Sequence, residues 1–210
     1  MLAKPLKDLD RRTKGQSLDD STLWLNFKKG NDLAYSILYN KYVHRLYNYG
    51  MHSCRNKELV LDCLQELFAL LWDRRERLSE VTCVNYYLFK SYRRLLMNKL
   101  TLGKKFLISL SDKEAYGFDF SPSMEDALIE EEWEVERNRK VRNSLNSLTK
   151  RQREAIFLKF FNQLSYHEVA AIMELHVDSV YNLISKSIDI LRKRLKADAI
   201  FAFVMSYMIL

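Results

Sequence analysis

The sequence predicts an all-α protein with two helical domains joined by a flexible acidic linker, the C-terminal domain being a helix-turn-helix. Three observations support this. Apolar residues recur at spacings of three or four along most of the chain, which is the period of an amphipathic helix. The 210 residues include only 5 Gly and 2 Pro. The helical pattern lapses between Gly103 and Ser123, where two of the glycines and one proline lie.

Charge and composition narrow the class of function. The net charge of +7 and the isoelectric point near 9.2 favour an acidic partner such as nucleic acid or a membrane surface, although a merely basic soluble protein has the same totals. No apolar run reaches the roughly 20 residues that span a bilayer, and the N-terminus lacks the apolar core of a signal peptide. We therefore expect a cytoplasmic protein.

The sequence contains no recognisable catalytic or metal-binding pattern. The cysteines lack CxxC spacing, which argues against a disulfide framework or a zinc site, and Cys63 is expected to be a small core residue. The four histidines are scattered, and neither a P-loop nor a GxGxxG motif is present. We expect no enzymatic activity, no cofactor and no metal.

Residues 20–102 are predicted to form the first domain, after a mobile, basic arm at residues 1–19. Asn31 and Asn56 are expected to cap two long helices, because short polar side chains accept hydrogen bonds from the free N–H groups of a first turn. Gly50 is expected at the frayed end of the first of these helices.

The helix that begins at Lys57 carries a strip with two interpretations. A carboxylate and amide strip flanked by aromatic side chains is typical of a protein-docking surface, since aromatic anchors supply much of the energy of an interface. The aromatic side chains could equally complete the core, and composition does not separate the two interpretations. The strip and its flanking aromatics are Asp62, Gln65, Glu66, Asp73, Phe68 and Trp72.

The next helix, predicted from Asn85 to about Leu102, interleaves aromatic and basic side chains. Such a surface suits single-stranded nucleic acid, because bases stack on the rings while the cations hold phosphates. A core helix with a basic, solvated side is the alternative, and for this helix taken alone it is the stronger one. The interleaved residues are Tyr86, Tyr87, Phe89, Tyr92, Lys90, Arg93, Arg94 and Lys99.

The linker is predicted at residues 103–122, the second domain at 123–196 and an apolar tail at 197–210. Ten acidic residues against one lysine lie between Asp112 and Glu136, and such a run should avoid DNA or imitate it electrostatically. Thr149 is the expected cap of a helix in the second domain. The tail is too short to span a membrane, and we expect it to pack on that domain.

The last two predicted helices form the clearest motif of the sequence. Ser165 is the expected cap of a short helix, and a tight turn at 174–176 leads to a longer helix with an apolar stripe from Val180 to Leu195. This pattern is typical of a helix-turn-helix whose second helix enters the DNA major groove, although two such helices also occur in ordinary bundles. Hydrogen-bonding and basic side chains off the stripe favour DNA binding: Ser179, Tyr181, Asn182, Ser185, Lys186, Arg192, Lys193 and Arg194.

These stretches resemble bacterial sigma factors of the extracytoplasmic-function (ECF) type. Asp62-Cys-Leu-Gln-Glu-Leu-Phe-Ala-Leu-Leu-Trp72 is close to the family's D-x-x-Q-E-x-F-x-x-x-W. The order and separation of the motifs, with a linker between them, are specific to this family. The sequence Ser-Val-Tyr-Asn-Leu-Ile around Tyr181 is similar to that of members from Bacteroidetes. The C-terminal part of the resemblance lies in Leu148–Glu154, Leu164–Ala170 and Ser179–Ser185.

The resemblance implies a sigma factor that binds core RNA polymerase and directs promoter-specific transcription initiation. The first domain would dock on the β′ coiled coil through Asp62, Gln65, Glu66, Phe68 and Trp72. The loop Ser79–Val84 would capture a flipped base of the −10 element, whose strand would bind to Asn85, Tyr86, Lys90, Arg93, Arg94 and Asn98. The second domain would read the −35 duplex through Ser179, Tyr181, Asn182, Ser185, Lys186 and Arg192.

The resemblance also implies further partners, and this sequence departs from the family pattern at two positions. The β flap of the polymerase and an anti-sigma factor are further partners, and the acidic linker would run through the active-site cleft.

Glu174 stands where the family usually has Gly, so the turn needs a negative φ or some strain. Arg94 stands where related sequences often have Asn. A stand-alone helix-turn-helix regulator, or a sigma-like adaptor recruited by another DNA-targeting complex, are the alternatives.

Overall fold

The computed structural model describes residues 19–106, 117–120, 141 and 143–194, with only the backbone described for 103–106. Every regular element within these ranges is helical, which confirms the predicted all-α class. The predicted arm, most of the acidic linker, the beginning of the second domain and the apolar tail lie outside the described residues. The predictions made for those segments therefore stay predictions.

Four helices form the N-terminal half of the described chain: α1 (Asp20–Lys28), α2 (Asp32–Ser53), α3 (Lys57–Arg74) and α4 (Val84–Phe106). A single 3₁₀ turn, Arg75–Arg77, continues α3. The predicted caps are confirmed, because the side chains of Asn31 and Asn56 accept hydrogen bonds from the first turns of α2 and α3. Gly30, two residues after the end of α1, adopts a φ of +84°.

Gly50 lies inside α2 and not at its frayed end, which corrects the prediction. A Cβ atom at this position would lie 2.9 Å from Cγ1 of Val60 in α3 and would collide with the hydroxyl of Tyr92 in α4. The missing side chain therefore allows three helices to approach closely. The helix continues to Ser53, whose buried hydroxyl donates to the Tyr49 carbonyl at 2.8 Å.

The core of the N-terminal half is strongly aromatic. Phe27 of α1 stacks on Tyr35 of α2 with 5.7 Å between ring centroids, and Tyr35 packs against Trp72 at 5.0 Å. Buried Trp24 donates its indole N–H to the carbonyl of Ser79 at 3.1 Å. This hydrogen bond ties the loop after α3 to α1, so the core also positions the loop for which base capture is predicted.

Three helices follow in the C-terminal half: α5 (Lys150–Ile156), which continues as a π-helical turn (Phe157–Phe161), α6 (Tyr166–Met173) and α7 (Val177–Arg194). Thr149 and Ser165 form complete capping boxes at α5 and α6, as predicted for caps at these positions. Glu174 adopts φ 57° and ψ 48°, so the turn between α6 and α7 accepts the left-handed strain that glycine would avoid.

The two halves pack together through one continuous core. Helix α4 contacts α6, and the aromatic cluster of α2 meets that of the π-helical turn at Tyr49 and Phe157. Phe118 and Phe120, in the predicted linker, are also buried in this core. The described linker residues 117–120 are therefore docked, which differs from the flexible linker that the sequence predicts.

Candidate nucleic-acid interface

The outer face of α7 is polar and exposed. Its apolar stripe, which includes Val180, Ile184 and Leu191, is buried against α5 and α6. The side chain of Ser187 is buried too, with its hydroxyl donating to the Leu183 carbonyl at 2.6 Å. The six side chains predicted to read the −35 duplex are all exposed on the remaining surface: Ser179, Tyr181, Asn182, Ser185, Lys186 and Arg192.

Tyr181 is held by a stack that the sequence analysis missed. Its ring lies parallel to the ring of Tyr166, the first residue of α6, with 4.0 Å between centroids and 15° between planes. Lys159 Nζ lies 4.7 Å from the centroid of the Tyr166 ring. One face of Tyr181 is therefore covered while 48 % of the residue stays exposed. The sequence does not predict this stack. Tyr166 and Tyr181 lie 15 residues apart on two helices, and the geometry of the turn between the helices determines whether the two rings meet.

The predicted docking strip on α3 is partly exposed and partly core. Asp62 and Gln65 are exposed, and Glu66 pairs with Lys99 of α4 at 2.7 Å. Trp72 is half-buried, and the Arg75 guanidinium lies 4.6 Å from its ring. The strip thus presents the carboxylates of Asp62 and Asp73, the amide of Gln65 and part of Trp72 to solvent.

The structure corrects the predicted exposure of Phe68 in the docking strip. It is only 3 % exposed and packs edge to face against Tyr39 at 4.7 Å and Tyr35 at 6.3 Å. Its side chain faces the interior because it continues the apolar side of α3, together with Leu64, Leu67 and Leu71. Phe68 therefore lies beneath the strip and is not part of the surface that the strip exposes.

Three of the six residues predicted to bind the −10 strand lie on the solvent side of α4. Lys90, Arg94 and Asn98 are exposed, and Lys90 Nζ donates to the hydroxyl of half-buried Tyr86 at 2.8 Å. Arg94 and Asn98 lie on the edge of a groove of about 440 Å³ between α3 and α4, which Tyr87 also lines. Cationic and aromatic groups are thus gathered beside one concave surface.

Of the remaining three predicted −10 residues, half-buried Tyr86 lies beside Lys90, and Asn85 and Arg93 face the C-terminal half. Arg93 Nε donates to Glu154 Oε1 at 2.8 Å, and the Tyr49 hydroxyl donates to the same oxygen at 2.6 Å. The side chain of Glu154 is 1 % exposed and that of Arg93 is 15 % exposed. Asn85 donates through Nδ2 to the carbonyl of Asn162 at 2.8 Å. Residues expected to meet DNA are therefore occupied by groups of the C-terminal half.

Two further contacts join the halves nearby. Arg45 of α2 donates from Nη2 to the Asn162 carbonyl at 3.1 Å and from Nε to its Oδ1 at 3.3 Å, and burial lowers the pKa of Arg45. Burial first, and then the Glu168 carboxylate of the C-terminal half, raise the pKa of the Cys83 thiol. Burial by itself raises the pKa of Glu168. The hydrogen bonds from Ser165 and the interaction with the Cys83 thiol outweigh burial, so the pKa is lowered.

The docked linker segment completes this interface. Backbone N–H groups of Gly117 and Asp119 donate to the carbonyls of Ser53 and His52 at 3.1 and 2.8 Å. Phe118 and Phe120 flank the ring of His52 at 5.7 and 5.2 Å. The alternation of Phe118, Asp119 and Phe120 within an acidic run is a signal of a half-buried extended segment that the sequence analysis did not use.

Two features are absent from the described ranges. No group of three or more side chains there could hold a metal ion. No helix there is both long enough and apolar enough to cross a membrane.

Comparison with known proteins places the helix-turn-helix in a family. Residues 138–189 match the family described as Sigma-70, region 4. The fold is similar to that of CnrH in complex with the cytosolic domain of CnrY, at 20 % identity over 85 % of this chain and 98 % of that chain, with a TM-score of 0.54. No curated protein sequence matches the chain.

A second solved structure shares the fold. The sigma factor RpoE, in complex with the anti-sigma factor NepR from Bartonella quintana, is 17 % identical over 76 % of this chain and 95 % of that chain, with a TM-score of 0.56. Residues 138–189 thus match a sigma-70 region 4 domain, and the two solved structures show that the fold is shared.

Proposed function

We propose that this protein is a sigma factor of the ECF type, which binds core RNA polymerase and directs promoter-specific initiation. One observation carries the proposal. The segment that matches sigma-70 region 4 folds as a helix-turn-helix, and its second helix exposes every side chain predicted to read DNA. The order of elements before it, with an acidic strip on α3 and a basic, aromatic α4, supplies the other two surfaces that a sigma factor needs.

Helix α7 would read the −35 duplex in the major groove. Asn182 and Ser185 can exchange hydrogen bonds with base edges, and the exposed side of Tyr181 can contact a thymine methyl group. Lys186 and Arg192 would hold phosphates and so set the register of the helix, without carrying sequence information themselves.

Helix α4 and the loop before it would bind the melted −10 strand. Flipping a base out of the stack costs a few kcal/mol, which a pocket and aromatic stacking can offset. Lys90, Arg94 and Asn98 are already exposed on α4. Arg94 and Asn98 line the groove between α3 and α4, and half-buried Tyr86 adjoins Lys90. Arg93 would join them only after leaving Glu154.

The strip on α3 would dock on the β′ coiled coil. Asp62 and Gln65 provide exposed polar contacts, and the edge of Trp72 provides an aromatic anchor. Glu66 would exchange its ion pair with Lys99 for a basic group of the polymerase, at small cost because surface pairs contribute about 0–1 kcal/mol. The β flap would receive the region 4 domain, and an anti-sigma factor could compete for the same surfaces.

The test is pull-down of purified core RNA polymerase, followed by run-off transcription on a promoter library. The double variant Asp62→Lys/Glu66→Lys should lose core binding. The matched control, Glu76→Lys/Glu80→Lys, makes the same charge change at exposed positions beyond α3 and should retain core binding. Glu80 lies in the loop that would capture the −10 base, so this pair is the control for the pull-down only.

Three outcomes separate the candidate functions. Core binding with specific initiation supports the sigma factor and defines its −10 and −35 preferences. Core binding without initiation points to an adaptor that needs another factor. Tight duplex binding with no affinity for core would instead identify a stand-alone regulator, and would refute the role given to the α3 strip.

A further inference from the structure

Three side chains from consecutive elements of the C-terminal half form one stack at the N-terminal end of α7. The ring of Tyr181 lies parallel to the ring of Tyr166, with 4.0 Å between centroids and 15° between planes. Lys159, in the π-helical turn, places Nζ 4.7 Å from the centroid of the Tyr166 ring. The proposed function gives a role to Tyr181 but none to the two residues that support it.

The middle of the stack, Tyr166, is held from two sides. It is the first residue of α6 and follows Ser165, whose capping box fixes the start of that helix. The ammonium group of Lys159 is attracted by the negative face of the Tyr166 ring. Lys159 Nζ also donates to the carbonyl of buried Leu164 at 3.1 Å, which holds the cation in place. The Tyr166 ring is therefore positioned in the free protein.

The stack in turn restricts Tyr181. A side chain on an open helix surface samples several staggered rotamers, but this ring lies flat on Tyr166 while 48 % of the residue stays exposed. Ordering a side chain at an interface costs entropy, and that cost is avoided when the free protein already holds the bound conformation. The exposed part of Tyr181 is therefore a pre-organised contact surface.

The place of Tyr181 in α7 points this surface at DNA bases. Tyr181 is the fifth residue of α7 (Val177–Arg194), and the N-terminal residues of the second helix are those that contact base edges in a helix-turn-helix. Asn182 and Ser185, which are polar, are exposed beside it. Tyr181 thus adds an aromatic contact to a surface that otherwise offers hydrogen bonds.

The chemistry of the contact selects one kind of base. The carbon atoms of the ring offer apolar contact and no hydrogen bond to a base edge. Among the four bases only thymine presents a methyl group in the major groove, whereas the others present hydrogen-bonding groups there. A ring fixed in one orientation favours a methyl group at one position, while a mobile ring would contact several positions weakly.

We propose that Lys159 and Tyr166 are positioning residues, which hold the Tyr181 ring so that it selects one thymine of the −35 duplex by its 5-methyl group. The inference rests on the proposed function insofar as α7 is the surface that reads duplex DNA. It requires no polymerase, because the whole stack lies within the C-terminal half.

The test removes the methyl group and nothing else. The full-length protein selects sequences from a randomised duplex pool at low salt, once alone and once bound to core polymerase. Each thymine of the enriched sequence is then replaced singly by uracil, which keeps every hydrogen-bonding group of the base. At one position uracil should weaken binding by the original protein about fourfold, as expected for one buried methyl group.

Four variants examine the stack on the same thymine and uracil duplexes. Tyr166→Ala should reduce the uracil effect to less than about twofold, whereas the matched control Tyr166→Phe, which keeps the ring, should retain it. Lys159→Met leaves both rings in place and should also reduce the effect. Its matched control, Lys193→Met, removes an exposed charge near the end of α7 and should weaken binding to both duplexes alike.

Two checks separate positioning from loss of structure. Circular dichroism shows whether each variant is folded, and Lys159→Met tests the stack alone if Tyr166→Ala does not fold. Tyr181→Phe should keep the uracil effect, because the ring and not the hydroxyl contacts the methyl group. A structural role alone would lower the affinity for both duplexes and leave their ratio unchanged.

Each outcome decides for or against the stack. A uracil effect that Tyr166→Ala and Lys159→Met reduce, and that Tyr166→Phe and Tyr181→Phe retain, supports the inference. The inference is wrong if no thymine shows the effect, if Tyr166→Ala retains it in full, or if Tyr181→Phe abolishes it. Failure to bind core polymerase would refute the sigma factor alone, since the selection with the free protein contains no polymerase.

Discussion

The ion pair between Arg93 and Glu154 predicts a large coupling free energy between the two halves. Arg93→Met leaves the Glu154 carboxylate, 1 % exposed, without its neighbouring cation, and breaking a buried pair in this way costs about 3–5 kcal/mol of stability. Glu154→Met costs less, about 1–3 kcal/mol, because the side chain of Arg93 is 15 % exposed and can turn to water. In the double variant the Tyr49 hydroxyl must find another acceptor, at about 1–3 kcal/mol.

Urea unfolding of the four proteins, followed by circular dichroism, measures this coupling. The loss of stability in the double variant should be smaller than the sum of the two single losses by about 2 kcal/mol or more. Losses that add to within about 0.5 kcal/mol would show that the two side chains do not interact in solution, and would refute the contact across the halves. Equal denaturant slopes in all four proteins are the control that the same surface is exposed on unfolding.

Three further outcomes are expected. Gly50→Ala should lower the melting temperature, because overpacking at the crossing of three helices costs about 1–3 kcal/mol while alanine gains only about 1 kcal/mol of helix propensity. Tyr166→Ala should change the holoenzyme's preference at the −35 base that Tyr181 meets, whereas Tyr166→Phe, which keeps the stack, should not; a selection from randomised −35 sequences decides. Cys63, buried with its pKa raised to about 11, should be alkylated more slowly than Cys83 in the folded protein, as peptide mass spectrometry will show.

The sequence was informative wherever one segment determines its own structure. Asn31, Asn56, Thr149 and Ser165 are caps in the structure because each needs only the N–H groups of the turn that follows it. The apolar stripe of α7 also settles by itself which face is outward. The −35 surface could therefore be predicted residue by residue, as far as its exposure is concerned.

Prediction failed where the answer depends on segments far apart in the chain. Gly50 is a common helix end in sequence terms, and only the approach of Val60 and Tyr92 shows why it stands inside α2. Phe68 fits the core and the docking surface equally well until Tyr35 and Tyr39 are seen around it. In both cases the deciding contact is made by another helix.

The pairing of Arg93 with Glu154 is the furthest-reaching case. A basic side chain on α4 and an acidic one on α5 lie 61 positions apart, and each is an ordinary surface residue by local pattern. Sequence reasoning assigns them separately, Arg93 to DNA and Glu154 to the region 4 domain. Only the packed arrangement shows that both predictions draw on one guanidinium, which can face a phosphate or a carboxylate but not both. The Arg93 side chain therefore links the −10 surface to the contact between the halves. Substitution of Arg93 or of Glu154 should change both DNA binding and the free energy of unfolding.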